Sequence, residues 1–256
     1  MPTRKHQRRL EPVLVVSDLH APYFDRAAFD LLLQVGKALR PKHIYIIGDF
    51  VDFYAVSSHS KNPQRSLKLI DELRIAEKCL DAVEAVATPG CKKTYIGGNH
   101  EDRLTRYLMD KAPELFDVVG IPELLHLKER GWAYVPYKHD IELGKLHLTH
   151  DVGVAGRNAV FQCLDTYQHS VVTGHTHRLA YIVEGNATGE QKLSAQFGWL
   201  GDASQIDYMH RAKVLKNWAL GFGVGYFDPN SDYVYLQPVP IVNYTCLFNG
   251  QVYRAE

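Results

Sequence analysis

No stretch of this 256-residue chain approaches the ~18 consecutive apolar residues of a membrane-spanning helix. Cysteine is scarce. Cys79, Cys91, Cys163 and Cys246 are scattered without a Cys-x-x-Cys pair, which suits neither a zinc knuckle nor a disulfide framework. There is no excess of charge, because Lys plus Arg and Asp plus Glu each number 29. No global field therefore draws the chain toward nucleic acid or a membrane surface. Internal repeats and low-complexity tracts are also lacking. Arg4, Lys5, Arg8 and Arg9 make a locally basic start, but Glu11-Pro12 and a four-residue apolar run follow, too short for a signal-peptide core. These absences predict a cytoplasmic protein with reduced thiols and no membrane partner. Residues 1–11 are expected to form a flexible basic arm, and 12–256 a single domain.

With 46% apolar and 23% charged residues, the composition can bury a sizeable core. Val13-Leu14-Val15-Val16 reads as a strand buried on both faces. Asp25 can cap a helix with the stripe Phe29, Leu32, Leu33, Gly36 and Leu39, stopped by Pro41. Ile44 to Ile47 is a second strand, so the chain opens as βαβ. Asn62-Pro63 has the signature of a helix start. The following stripe is Leu69, Leu73, Ala76, Leu80, Val83 and Ala87, ended by Pro89-Gly90. Thr94 to Ile96 is a third strand, and 101–130 reads as helix broken at Pro113 and Pro122. From about 132 the character turns to strand, at 133–135, 140–143, 146–150, 170–173, 179–184, 222–227 and 233–238. A short helix over Asn158 to Leu164 interrupts it. The chain is α/β, with its latter part mainly β.

Five segments carry the chemistry, each at the end of a β-like run. They are Asp18-Leu19-His20, Gly48-Asp49-Phe50-Val51-Asp52, Gly98-Asn99-His100-Glu101, Thr149-His150-Asp151 and Gly174-His175-Thr176-His177. Ligands in open α/β sheets collect outside the carboxyl ends of strands, so five strand ends can converge on one place. Taken singly, D-x-H and G-D-x-x-D are turn chemistry, since Gly and Asp favour turns, and His150 reads equally as a hydrogen-bonded strand-end histidine or a ligand. Together they supply the imidazole, carboxylate and amide oxygen donors that hold Mn, Fe, Zn or Ni. Two such ions about 3.5–4 Å apart activate a water and clamp a phosphoryl group.

The series D-x-H, G-D-x-x-D, G-N-H-E, H, G-H-x-H resembles the calcineurin-like metallophosphoesterase superfamily, over residues 13 to about 180. The resemblance implies a four-layer α/β/β/α sandwich, with two central mixed β-sheets flanked by helices. It implies that Asp18, His20 and His177 bind one divalent metal, that Asn99, His150 and His175 bind another, and that Asp49 bridges both. His100 would stand beside the phosphate as general acid or transition-state stabiliser, with Asp52 orienting it. Glu101 is expected to be structural. His43, His126, His139 and His169 fit no pattern and are read as surface or capping residues.

The pattern departs from the Ser/Thr protein phosphatase branch, where Arg follows the second Asp of G-D-x-x-D. Here Phe53 and Tyr54 follow Asp52, removing a guanidinium that would grip a dianionic monoester. Phe53 and Tyr54 either stack a nucleobase or pack under the next helix. Arg103 is either a phosphate contact or a helix-surface residue. Gln196-Phe197-Gly198-Trp199-Leu200-Gly201-Asp202 resembles a rim loop of phosphodiesterase-like members. The expected function is a metal-dependent phosphodiesterase acting on a nucleotide or related phosphodiester through a metal-bridging hydroxide, with two ions per chain and Mn2+ foremost. The alternatives are a DNA nuclease, a phosphomonoesterase including a protein phosphatase, and a non-catalytic binding scaffold of the same fold.

Overall fold

The structure, a computed structural model, describes residues 9–63, 65–205 and 217–255. Most of the basic arm, residues 1–8, lies outside them. Glu11 already opens strand β1 (Glu11–Val16), one residue before the expected start of the domain. Helix α1 (Arg26–Leu39) follows, its start fixed by the Asp25 carboxylate accepting the Ala28 N–H at 3.0 Å. Its end is fixed by left-handed Arg40, whose N–H reaches the Gly36 carbonyl. Then come β2 (His43–Ile47), α2 (Leu69–Glu84), β3 (Lys92–Ile96), α3 (Asp102–Lys111), α4 (Ile121–Leu124) and β4 (Trp132–Val135). Pro113 opens a 3-10 turn and Pro122 is the second residue of α4. The two prolines thus start new segments, as their missing N–H groups favour.

The remaining elements are β5 (Ile141–Leu143), β6 (Leu146–Leu148), α5 (Ala159–Tyr167), β7 (Ser170–Thr173), β8 (Leu179–Gly185), β9 (Gln191–Phe197), β10 (Gly221–Asp228), β11 (Tyr233–Pro240), β12 (Thr245–Phe248) and β13 (Gln251–Arg254). One sheet has the order β11-β10-β1-β2-β3-β4, a second β5-β6-β7-β9-β8, and β12 pairs with β13. Both large sheets are mixed. β1 to β4 run parallel while β10 and β11 run antiparallel to their neighbours. In the other, β6, β7 and β9 are parallel, flanked by antiparallel β5 and β8.

The period of two along β1 explains the layering. Leu14 and Val16 join a core with the buried faces of α1 and α2, including Leu31, Leu32, Leu80 and Val83. Val13 and Val15 enter a second core with Leu148, Val172 and Phe197 of the other sheet. Helix α5 packs on the outer side of that sheet, against β7 and β9. The architecture is the four-layer α/β/β/α sandwich. Among the described residues no helix is long and apolar enough to cross a membrane.

Three local expectations need correction. Helix α2 begins at Leu69, not at Asn62-Pro63. Asn62 instead turns back, its N–H donating to the Tyr54 hydroxyl at 2.5 Å, and Asp71 accepts the Lys68 N–H at 3.2 Å to start the helix. Gln196 and Phe197 end a strand, β9, that the sequence reading missed, so the rim loop starts at Gly198. His43 is buried, its Nε2 2.6 Å from Glu11 Oε2.

Candidate metal centre

The register of the strands makes the site. Val16 pairs with Ile46 and Ile47 with Ile96, so Asp18, Asp49 and Asn99 leave one sheet at the same edge. Leu148 pairs with Val172, which brings His150 and His175 together at the facing edge of the other. Backbone bonds tie the loops within each edge, Asp18 N–H to the Gly48 carbonyl at 3.1 Å in one and Gly174 N–H to the His150 carbonyl at 2.8 Å in the other, and a side chain joins the two. The His175 N–H donates to Asp18 Oδ1 at 3.1 Å. Close approach leaves no room for side chains between them. A Cβ on Gly48 would meet the His150 ring, and one on Gly98 the Asp49 carboxylate and amide.

Asp18, His20, Asp49, Phe53, His175 and His177 all have positive φ, between 49° and 66°. For L-residues this region costs about 1–2 kcal/mol each, so the edge hydrogen bonds hold the backbone away from its easier conformations. Such local strain gathers at functional sites.

Two donor clusters share Asp49. In one, ligand atoms of Asp18, His20, Asp49 and His177 lie within 4.8 Å of one another; in the other, those of Asp49, His150 and His175 do. His20 Nε2 is 3.0 Å from His177 Nε2, which is 3.2 Å from Asp18 Oδ1. Asn99 Oδ1 is 2.9 Å from His150 Nε2 and 2.8 Å from His175 Nδ1. Around an ion with bonds of about 2.1 Å, adjacent ligands are spaced about 3.0–3.4 Å. The donor sets fit a cation in each cluster.

The hydrogen bonding agrees. His150 Nδ1 faces the Ile47 carbonyl at 2.9 Å, so in the neutral ring Nε2 carries the lone pair. That lone pair faces two oxygen acceptors, Asn99 Oδ1 and Asp49 Oδ2, the latter at 3.4 Å. A cation, or a proton on Nε2, between them would satisfy all three. Burial alone would lower the basicity of His150, but the Asp49 carboxylate outweighs it and pushes the ring up to about 10. Burial likewise opposes ionisation of Asp49, yet the His100 and His150 rings hold it well below the usual carboxylate range.

Asp52 lies between this centre and helix α3. Its Oδ2 is 3.2 Å from His100 Nδ1 and 3.5 Å from His20 Nδ1, so one carboxylate orients two imidazoles. Arg103 Nη1 donates to Asp52 Oδ1 at 3.0 Å and to its carbonyl at 2.8 Å, and Nη2 is 3.0 Å from His100 Nε2. With its side chain 15% exposed, Arg103 lines the site rather than the helix surface. Phe53, by contrast, is fully buried in the core beneath α2 and offers no face for a base. Tyr54 is half-buried, with Lys61 and Arg65 over its ring.

Glu101 is structural, as expected, though its reach was not legible, and a second support, around His177, went unrecognised in the sequence. The buried Glu101 carboxylate accepts N–H groups of Asp49, Phe50, Val51 and Gly98 at 2.8–3.0 Å and the Tyr95 hydroxyl at 2.7 Å. It therefore fixes the loop after β2 to the loop after β3. Around His177, Trp199 stacks in parallel at 4.8 Å and Trp218 meets the ring edge-on at 4.4 Å. His177 Nδ1 is buried with no hydrogen-bond partner among the described residues. Aromatic packing thus orients a ring that usually takes its direction from a second hydrogen bond. Both tryptophans stand in Gly- and aromatic-rich stretches, a signal too general to assign.

A family model described as calcineurin-like phosphoesterase matches residues 11–227. No curated protein matches the chain. Among solved structures, Vacuolar Protein Sorting 29 from Cryptosporidium parvum is similar at 14% identity and TM-score 0.48, covering 96% of each chain. The E. coli phosphoesterase Yfce is similar at 13% identity and TM-score 0.40, covering 88% of this chain and 98% of its own. Pseudomonas putida nuclease MPE is similar at 16% identity and TM-score 0.38, covering 88% and 87%.

Proposed function

The chain belongs to the calcineurin-like phosphoesterase family, and on that premise we propose that it is a dinuclear metal-dependent phosphohydrolase that cleaves a phosphodiester of nucleotide type. One observation carries the reading: Asp49 belongs to both donor clusters, as a carboxylate bridging two ions must. Asp18, His20, Asp49 and His177 would hold one divalent cation, and Asp49, Asn99, His150 and His175 the other, with Mn2+ the favoured ion. When bound, the pair supplies an activated water and positive charge for the phosphoryl oxygens.

The protein's own groups do the rest. Asp52 holds His100 by Nδ1, which turns Nε2 toward the shared carboxylate, 3.8 Å from Asp49 Oδ2. From there His100 can protonate a leaving oxygen. His100→Ala is expected to lower kcat by roughly 10²–10⁴, the usual contribution of a general acid, with metal content unchanged. The loss is expected to shrink for nitrophenolate leaving groups, which scarcely need a proton; an equal loss across leaving groups would assign His100 to charge stabilisation instead.

The diester preference rests on the missing Arg after Asp52 and is tested on a Mn-loaded panel of nitrophenyl phosphate, bis-nitrophenyl phosphate, cyclic nucleotides and single-stranded DNA. Faster turnover of the diesters, abolished by EDTA, is the expected result. Monoester preference would overturn the diester assignment. Two bound ions with no turnover on any substrate would mark a binding protein instead.

A further inference from the structure

Resting on that reading, we propose that Arg103 contacts the phosphoryl group of the substrate through Nη2. The guanidinium has five donors in a fixed fork, and three of them are already directed at Asp52 and His100. Nη1 is committed to Asp52, through both its carboxylate and its carbonyl. Nη2 faces His100 Nε2 at 3.0 Å, and that nitrogen in turn lies 3.8 Å from Asp49 Oδ2, the carboxylate common to both clusters. The free edge of the guanidinium and the working edge of the imidazole therefore open onto the same place. With His100 Nδ1 against Asp52 acceptors at 3.1–3.2 Å, Nη2 donates to Nε2 when the ring is neutral. Once a phosphoryl oxygen draws Nη2 away, Nε2 is free to carry the proton that a general acid gives up. A phosphoryl oxygen entering there is a stronger acceptor for the same N–H, because it carries charge.

The division of the fork limits what it can grip. The Asp52 pair withdraws Nη1, so a phosphoryl group meets the fork at Nη2 without Nη1 beside it. Arg103 thus supplies a guanidinium from helix α3, although no Arg follows Asp52 in the chain.

The test measures inorganic phosphate binding to the Mn-loaded protein by calorimetry, alongside metal content and turnover, for wild type, R103M and R103K. In R103M phosphate affinity is expected to fall roughly 10- to 100-fold, the range for losing one hydrogen bond to a charged group, with both ions retained. R103K keeps a positive charge for Asp52 but has no second fork nitrogen, so its phosphate binding is expected to stay weakened. R103K also serves if R103M fails to fold. Wild-type phosphate affinity in either folded variant would overturn the contact and leave Arg103 a positioning residue for Asp52. Wild type that hydrolyses no phosphoester but shows the R103-dependent phosphate binding would remove the hydrolase reading and leave the contact standing.

Discussion

Glu101 illustrates how much of the centre depends on residues that would touch no ion. Four N–H groups and one hydroxyl donate to its two oxygens. Glu101→Gln would turn an amide NH2 toward N–H donors, leaving buried groups unpaired at about 1–3 kcal/mol each. Urea denaturation is expected to show a loss of at least about 2 kcal/mol, together with weakened metal uptake. An unchanged midpoint would show that Asp49 is held by something else. Trp199 acts through packing. Trp199→Ala is expected to weaken the ion held by His177 by roughly 10–100-fold, the usual effect of losing a ligand's supporting partner, while Trp199→Phe, which can still stack, spares most of it. Equal affinities in wild type and both variants would separate the indole from the metal site.

Among the elements, the segment after β2 splits into two roles that the sequence could not separate. Phe53 and Tyr54 are adjacent aromatics, but left-handed backbone at Phe53 sends its ring into the core and leaves Tyr54 half-buried. Phe53→Ala is expected to cost about 3–5 kcal/mol of stability. Tyr54→Ala is expected to raise KM for a nucleotide more than for a small aryl phosphate, by up to roughly 1–3 kcal/mol if a base stacks there. Equal KM changes would make the ring a packing residue. Helices α1 and α2 were legible because their apolar stripes keep the helical period over long stretches. Strand β9 was not, since Gln-Lys-Leu-Ser-Ala-Gln-Phe has little β-branching and is a strand because β7 and β8 pair with it on both sides. Hairpin β12–β13 carried its signal unread: Asn249-Gly250, both at positive φ, is the pair that a two-residue hairpin turn favours.

At the scale of the molecule, the order of the five motifs was visible in the chain, but their convergence was not. It depends on two sheets presenting their strand ends to each other, a long-range arrangement that no local period encodes. The rule that ligands collect at the carboxyl ends of strands allowed it, and the resemblance of the whole motif series supplied it. The Phe53 side chain, the Glu101 hub and the tryptophans around His177 are consequences of that packing and left no distinct pattern in sequence. The same convergence sets the most direct test, a calorimetric Mn2+ titration of wild type, His177→Ala, His175→Ala and Asp49→Asn. If two ions share Asp49, wild type takes up two per chain, each His variant loses one, and Asp49→Asn weakens both. A wild type that binds a single ion, or a His variant that still binds two with wild-type affinity, would contradict a dinuclear centre built from these residues.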